Sequence, residues 1–301
     1  MNNKRRLFST VLCVAALTAG LFVSGCGSDK AGNIGSVVSS VVDGGDEKAA
    51  AKLNTLIDAT NRFNSDNVSF AQFQAEGLAK LKGGFAEGAI TNQPHFDRLQ
   101  ADLEKAKKEG STFKEVDAER DNVLNILNEL VPVYKDLTAY DDSKAYMNDG
   151  GAKGKELAAK YVAAVEKFDA AYAKFNEVLN KVNAEQSKKQ IEKLKKDGKK
   201  GYAAAMESTL RLTTLVDNLE KAPQKADKAA VEKELSEIEA LLKSINNDRG
   251  QVLADRYNSV VGDVRQVLAD PSDNNLNNMI EGFNGYIDTY NSTTPDQFDA
   301  K

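Results

Sequence analysis

Thiols and imidazoles are almost missing from this sequence: its 301 residues carry two cysteines, one histidine and no tryptophan. Cys13 and Cys26 both fall near the N-terminus, so the body that follows has no thiol. For that body a disulfide framework, a cysteine-ligated zinc site and a cysteine nucleophile are excluded. His95, next to Pro94, has no second histidine or thiol with which to build a soft transition-metal site. Nor does the sequence place an oriented partner set for a Ser–His–Asp arrangement around it, and it reads as a surface residue at a helix start. Proline occurs five times and strand-like alternation is missing, which leaves long stretches open to helix. After residue 26 no run approaches about 18 consecutive apolar residues, so no further membrane span is expected. A basic block is missing too. The formal charge is −5, an acidic balance that argues against nucleic acid as a partner and against electrostatic adhesion to anionic lipid.

What is present begins with a three-part leader. Lys4, Arg5 and Arg6 form a positive start, and residues 7–19 form a mostly apolar run too short to span a bilayer. Val23-Ser24-Gly25-Cys26 then resembles a bacterial lipobox, in which the cysteine is acylated and becomes the new N-terminus. The expected organisation is a lipoprotein signal peptide over 1–25, a lipidated Cys26 with a flexible tether over 26–45, and one helical-bundle domain over 46–301. Loss of Lys4, Arg5 and Arg6 with the leader takes the formal charge from −5 to −8. Attachment is therefore expected from acyl chains such as palmitate, at about 0.8 kcal/mol per buried CH₂. The partner so implied is a membrane of the cell envelope. Gly27, not Asp, follows the cysteine, which resembles the pattern sent to the outer membrane, facing the periplasm, where a host has two. Gly, Ser and Val dominate 27–45 without helical period, as a solvated linker would.

From Asp46 onward apolar residues recur at three and four, and the fold class expected is all-α, an elongated antiparallel bundle of long amphipathic helices. Leu53, Leu56, Ile57 and Phe63 mark a first helix, and Phe70, Phe73, Leu78 and Leu81 a second. Gly83, Gly84, Gly88 and Pro94 interrupt it. Pro94 suits a first helical turn, Gly110 a helix end, and Thr112 with Glu115 a capping box. Val116, Val123, Leu127, Leu130 and Leu137 lie along the next helix, which Pro132 is expected to kink or end. Residues 140–154 read as a polar connection. Tyr161, Val165, Phe168, Tyr172, Phe175, Leu179 and Val182 then form a heptad seam in a helix continuing to about Lys196. Tyr202, Met206, Leu210, Val216 and Leu219 resume the period after Gly198 and Gly201. Pro223 ends that helix. Another long helix is expected over 231–268, with Gly250 an interruption, and a last one after a Ser272 or Asp273 cap. Residues 291–301 read as a frayed tail.

The order Tyr140-Asp141-Asp142-Ser143-Lys144-Ala145-Tyr146, then Asp149, then Ala152-Lys153-Gly154-Lys155-Glu156-Leu157, followed by Phe168, Tyr172, Phe175 and the Gly198/Tyr202 break, resembles the YiiG-like family of bacterial lipoproteins. The resemblance implies a helical, lipid-anchored protein. The family's function is not established, and it brings no site residues.

No catalytic signature emerges from the chemistry of the body. Gly83-Gly84-x-x-x-Gly88 lacks a preceding strand and a Gly-Lys-Ser/Thr ending, so it is not a phosphate loop. Asp141, Asp142 and Asp149 carry hard oxygens of the kind Ca²⁺ takes, but not at EF-hand spacing, and the simpler reading is solvated loop carboxylates. The lysine-rich run 188–200, interspersed with Glu192 and Asp197, reads as a solvated helix face. No metal and no cofactor is implied. Tyr140, Asp141, Asp142, Tyr146 and Asp149 form the candidate exposed binding loop, because both tyrosines fall outside the seam. The expected function is a non-enzymatic, membrane-anchored module that binds or scaffolds an envelope protein partner. The alternatives are a ligand-binding lipoprotein with a cleft between helices and a hydrolase using paired carboxylates.

Overall fold

The computed structural model describes residues 44–65, 70, 73–85, 93–110 and 113–300. The expected signal peptide, Cys26 and nearly all of the expected tether lie outside the described residues. Among the described residues there is no strand, and helices packed on helices make up the fold. No helix among them is long and apolar enough to cross a membrane. The body divides into two compact units between Val182 and Asn183.

The first unit contains α1 (Gly44–Ser65) from Lys48 onward, a π turn (Phe73–Gly77) running into α2 (Leu78–Lys82), α3 (Phe96–Lys108), α4 (Lys114–Asp142), the single turn α5 (Tyr146–Asp149), and α6 (Ala152–Lys196) as far as Val182. Its centre is aromatic. The Phe63 ring lies 5.7 Å from Phe96, 5.8 Å from Phe168 and 5.4 Å from Tyr172. Phe168 meets Phe70 and Phe96 edge-on, each at 5.1 Å. Such pairs contribute about 0.5–1.5 kcal/mol each beyond the area they bury. Every residue of the predicted heptad seam, from Tyr161 to Val182, is buried.

On the rim, Arg120 is buried and donates to Asp117 Oδ1 at 2.6 Å and to Asp121 Oδ1 at 2.9 and 3.0 Å. Lys107 reaches Asp121 from α3 at 3.1 Å. Desolvation pushes the Asp121 carboxyl up, but the hydrogen bonds from Lys107 and Arg120 outweigh it and hold the group below its ordinary value.

The second unit holds the end of α6, α7 (Lys200–Lys221), a 3₁₀ turn (Pro223–Lys225), α8 (Lys228–Lys243), α9 (Asp248–Ala269), α10 (Asp273–Asn291) and the short α11 (Pro295–Phe298). The helix at its centre is α7, which packs against α8, α9, α10 and α11 and is buried on most sides. Ala203, Ala204 and Ala205 let neighbours approach closely. Its buried hydroxyls are satisfied locally, Ser208 and Thr209 both donating to the Ala205 carbonyl at 2.8 Å. Two forked pairs pin the rim: Arg211 on Glu234 at 2.7 and 2.8 Å, with Glu237 beside it, and Arg265 on Glu232 at 2.9 and 2.8 Å.

Several local expectations are corrected. Pro94 lies outside α3, which starts at Phe96 with His95 at the N-cap position. The expected Thr112 cap lies outside the described residues; α4 starts at Lys114, and Phe113 at its N-cap position makes no side-chain cap bond. Pro132 neither ends nor divides α4; it sits at an exposed position between buried Leu130 and Val131 on one side and Leu137 on the other. The helix expected over 231–268 is two helices. Its break falls at 244–247, ahead of Gly250, because Asn247 caps α9 by accepting from the Gly250 N–H at 3.0 Å. Gly250 is in the first turn, where a Cβ would come 2.3 Å from the Ile245 carbonyl oxygen. Ser272, not Asp273, caps α10. The tail is not frayed: Thr293 and Phe298 are buried and α11 forms within it.

Candidate functional site: the turn before the long helix

The predicted connection narrows to 143–151, since α4 runs on through Tyr140, Asp141 and Asp142. Gly150 and Gly151 both take positive φ, 62° and 84°, which L side chains rarely adopt, and so reverse the chain ahead of α6.

The loop residues part company here. Tyr140 is 5% exposed, so its expected exposed role is corrected. Helix α4 turns its ring inward against Phe85 (5.2 Å, edge-on), and its hydroxyl donates to Asp149 Oδ1 at 2.5 Å. Asp149 Oδ1 also accepts from the Gly151 N–H at 2.9 Å, and Oδ2 from the Lys153 N–H at 3.2 Å. The carboxylate thus serves as the acceptor for the opening turn of α6, whose first N–H groups have no partner within the helix. The Tyr140 hydroxyl, followed by the two backbone N–H groups, outweighs desolvation and holds Asp149 below its ordinary value. Tyr140 moves the opposite way, pushed up by desolvation and by donation to Asp149. Tyr146 is half-buried, 5.8 Å from the Phe85 ring. Asp141 is half-buried and Asp142 exposed.

Chemically this is a closed joint. Both Asp149 oxygens are engaged, so a cation there would have to displace hydrogen bonds that the turn itself uses. Among the described residues no group of three or more His, Cys, Asp or Glu is arranged to hold a metal ion. What the turn offers to a partner is its outer surface: Asp142, the edge of Tyr146, and Met147, which is 75% exposed. Phe85 and Gly154 were not legible as members of this joint. A Cβ at Gly154 would lie 2.6 Å from Tyr140 Cε1 and 2.7 Å from the Phe85 ring.

Other candidates resolve into packing. Tyr161 is buried, its hydroxyl donating to Gln93 Oε1 at 2.5 Å, and burial pushes it well up. Gln93 Nε2 and Gln74 Oε1 are buried without a partner among the described residues. Tyr286, raised by burial to about 12, meets Ser208 and Thr209, each at 3.1 Å. His95 is exposed.

The lysine-rich run is the end of a longer pattern. Lys153, Lys160, Lys167, Lys174, Lys181, Lys188 and Lys195 follow at seven-residue intervals on α6, and all are exposed. Carboxylates interleave with them: Lys160 pairs with Glu156 at 2.6 Å, Lys174 with Glu177 at 3.0 Å, and Lys195 with Glu207 at 2.8 Å. Glutamate neighbours blunt the field that an anionic ligand would need.

No curated protein and no solved structure matches the chain. The description "protein of unknown function (DUF3829)" matches residues 47–252, more than half of the chain, including all of the turn just described. Helices α1 to α8 and the joint between α4 and α6 are thus the part shared with that group, and the chain belongs to the DUF3829 family.

Proposed function

We propose that this protein is a cell-envelope lipoprotein, held on a membrane by acyl chains on Cys26, whose helical body works as a non-catalytic binding or scaffolding module. The observation that carries the reading is the leader: charge at Lys4–Arg6, an apolar run, then Val23-Ser24-Gly25-Cys26, in that order. The body is consistent with it. Many of its aromatic and aliphatic side chains are buried in its cores, and Asp149 of the candidate loop is committed to capping a helix. Within the DUF3829 family, the sequence around 140–219 supports a finer likeness to the YiiG-like lipoproteins. The face assigned to a protein partner is the outer side of the turn, Asp142, Tyr146 and Met147.

The test is fractionation of cells expressing the wild type and Cys26→Ser. Wild type is expected in the membrane fraction after a high-salt wash. The variant is expected in the soluble fraction with an unchanged helical circular dichroism spectrum. Salt-resistant membrane association of the variant would overturn the anchor.

A further inference from the structure

The last residues of the chain are held differently from every other segment of the second unit. Residues 293–300 cross the start of α7 and the corner between α8 and α9. Asp299 supplies the cap that α7 lacks, because Lys199 at its N-cap position offers no side-chain acceptor. Asp299 Oδ1 accepts from the Gly201 N–H at 2.6 Å, and Oδ2 accepts from the Tyr202 N–H at 3.4 Å. Asn247 holds the strap's main chain, its Nδ2 donating to the carbonyls of Gln297 (3.2 Å), Phe298 (2.9 Å) and Ala300 (3.1 Å). Lys199 reaches Asp296 at 3.0 Å. The one large apolar anchor is Phe298, stacked with Tyr202 at 6.1 Å and with Tyr290 at 6.0 Å.

The segment is also folded on itself. The Thr294 N–H donates to Gln297 Oε1 at 2.8 Å, and the Gln297 N–H returns to the Thr294 carbonyl at 3.0 Å. Most of its residues are half-buried or exposed, and only Thr293 and Phe298 are buried. A segment with one buried ring, surface hydrogen bonds and its own internal turn opens at lower cost than the helices beneath it.

We propose that residues 293–300 form a releasable strap, which lifts as one unit while α7 to α10 stay folded, uncovering the start of α7 and the rings of Tyr202 and Tyr290 on which Phe298 stacks. Gly201 is the position that permits it to seat, for a Cβ there would come 2.0 Å from the Phe298 carbonyl oxygen. Residue 201 therefore controls the strap without any change in the strap itself.

Amide hydrogen exchange on the full chain tests this. The amides of Gly201 and Tyr202, which donate to Asp299 across the contact, are expected to exchange at one common rate, at least tenfold faster than those of Leu212 and Val216 in the middle of α7. Gly201→Ala should speed exchange at the Tyr202 amide by a further tenfold or more while leaving the interiors of α9 and α10 unchanged. Asp299→Ala should do the same at residues 201 and 202, and Asp299→Asn, which keeps an oxygen acceptor, should restore most of that protection. Unchanged protection of the Tyr202 amide in Gly201→Ala would overturn the proposal. So would a loss of protection spread through α9 and α10, which would make the strap inseparable from the core.

Discussion

Phe168 shows what a single position contributes. It is fully buried and meets Phe63, Phe70, Phe96 and Tyr172 within 5.1–5.8 Å, so Phe168→Ala removes ring contacts to several elements at once. The expected loss is about 3–5 kcal/mol, read from urea midpoints. A loss under 1 kcal/mol would mean the ring is not central. Asp149 makes the pH prediction. Its ordinary value is 3.8 and the folded value lies lower, so the cap contributes fully above about 3.8 and is lost as pH falls through the folded value. A carboxyl titration by NMR should find the Asp149 midpoint below 3.8, and Tyr140→Phe should move it upward. A wild-type midpoint at or above the ordinary value would contradict the joint.

At the scale of elements, α6 was the most legible part of the chain. Its seam repeats over several turns, and burial follows the repeat because each ring or aliphatic side chain has the same partner face to meet. The breaks were less legible. Asn247 is a strong local capping residue, yet the apolar spacing on either side runs across it, and Gly250 carries the more usual sign of a break. Pro132 shows the reverse: a breaker tolerated because α4 is held by buried neighbours on both sides of an exposed position. Gly154 lets α6 begin against Tyr140 and Phe85, and Gly154→Ala is expected to cost about 1–3 kcal/mol by overpacking, measured as a lowered melting midpoint. A neutral or raised midpoint would show that the joint has room. Asp227 accepts from the Ala229 and Ala230 N–H groups to cap α8, and Asp227→Ala should cost about 1 kcal/mol.

For the whole molecule, helical class and the positions of the main cores follow from period alone, since each unit buries the residues that recur at three and four. The candidate site was legible only in part. Its place in the chain was visible as a polar, glycine-bearing stretch. Tyr140 was assigned to the surface because it falls outside the α6 seam, whereas it belongs to the inward face of α4, and nothing local says that Phe85 will meet it. The strap was invisible for the same reason: Asp299 is an ordinary tail carboxylate until the fold brings it to Gly201. The family match ends at residue 252, inside α9, while the second core draws on Leu253, Tyr257, Val260, Phe283 and Phe298, so that core extends past the matched region. The functional proposal rests on the proposed lipid anchor at Cys26, which would assign the protein's place in the cell. Mass spectrometry of the N-terminal peptide from protein purified from its native cell tests it directly: a chain beginning at Cys26 and carrying acyl chains is predicted, and a chain that retains residues 1–25 with an unmodified Cys26 would contradict it.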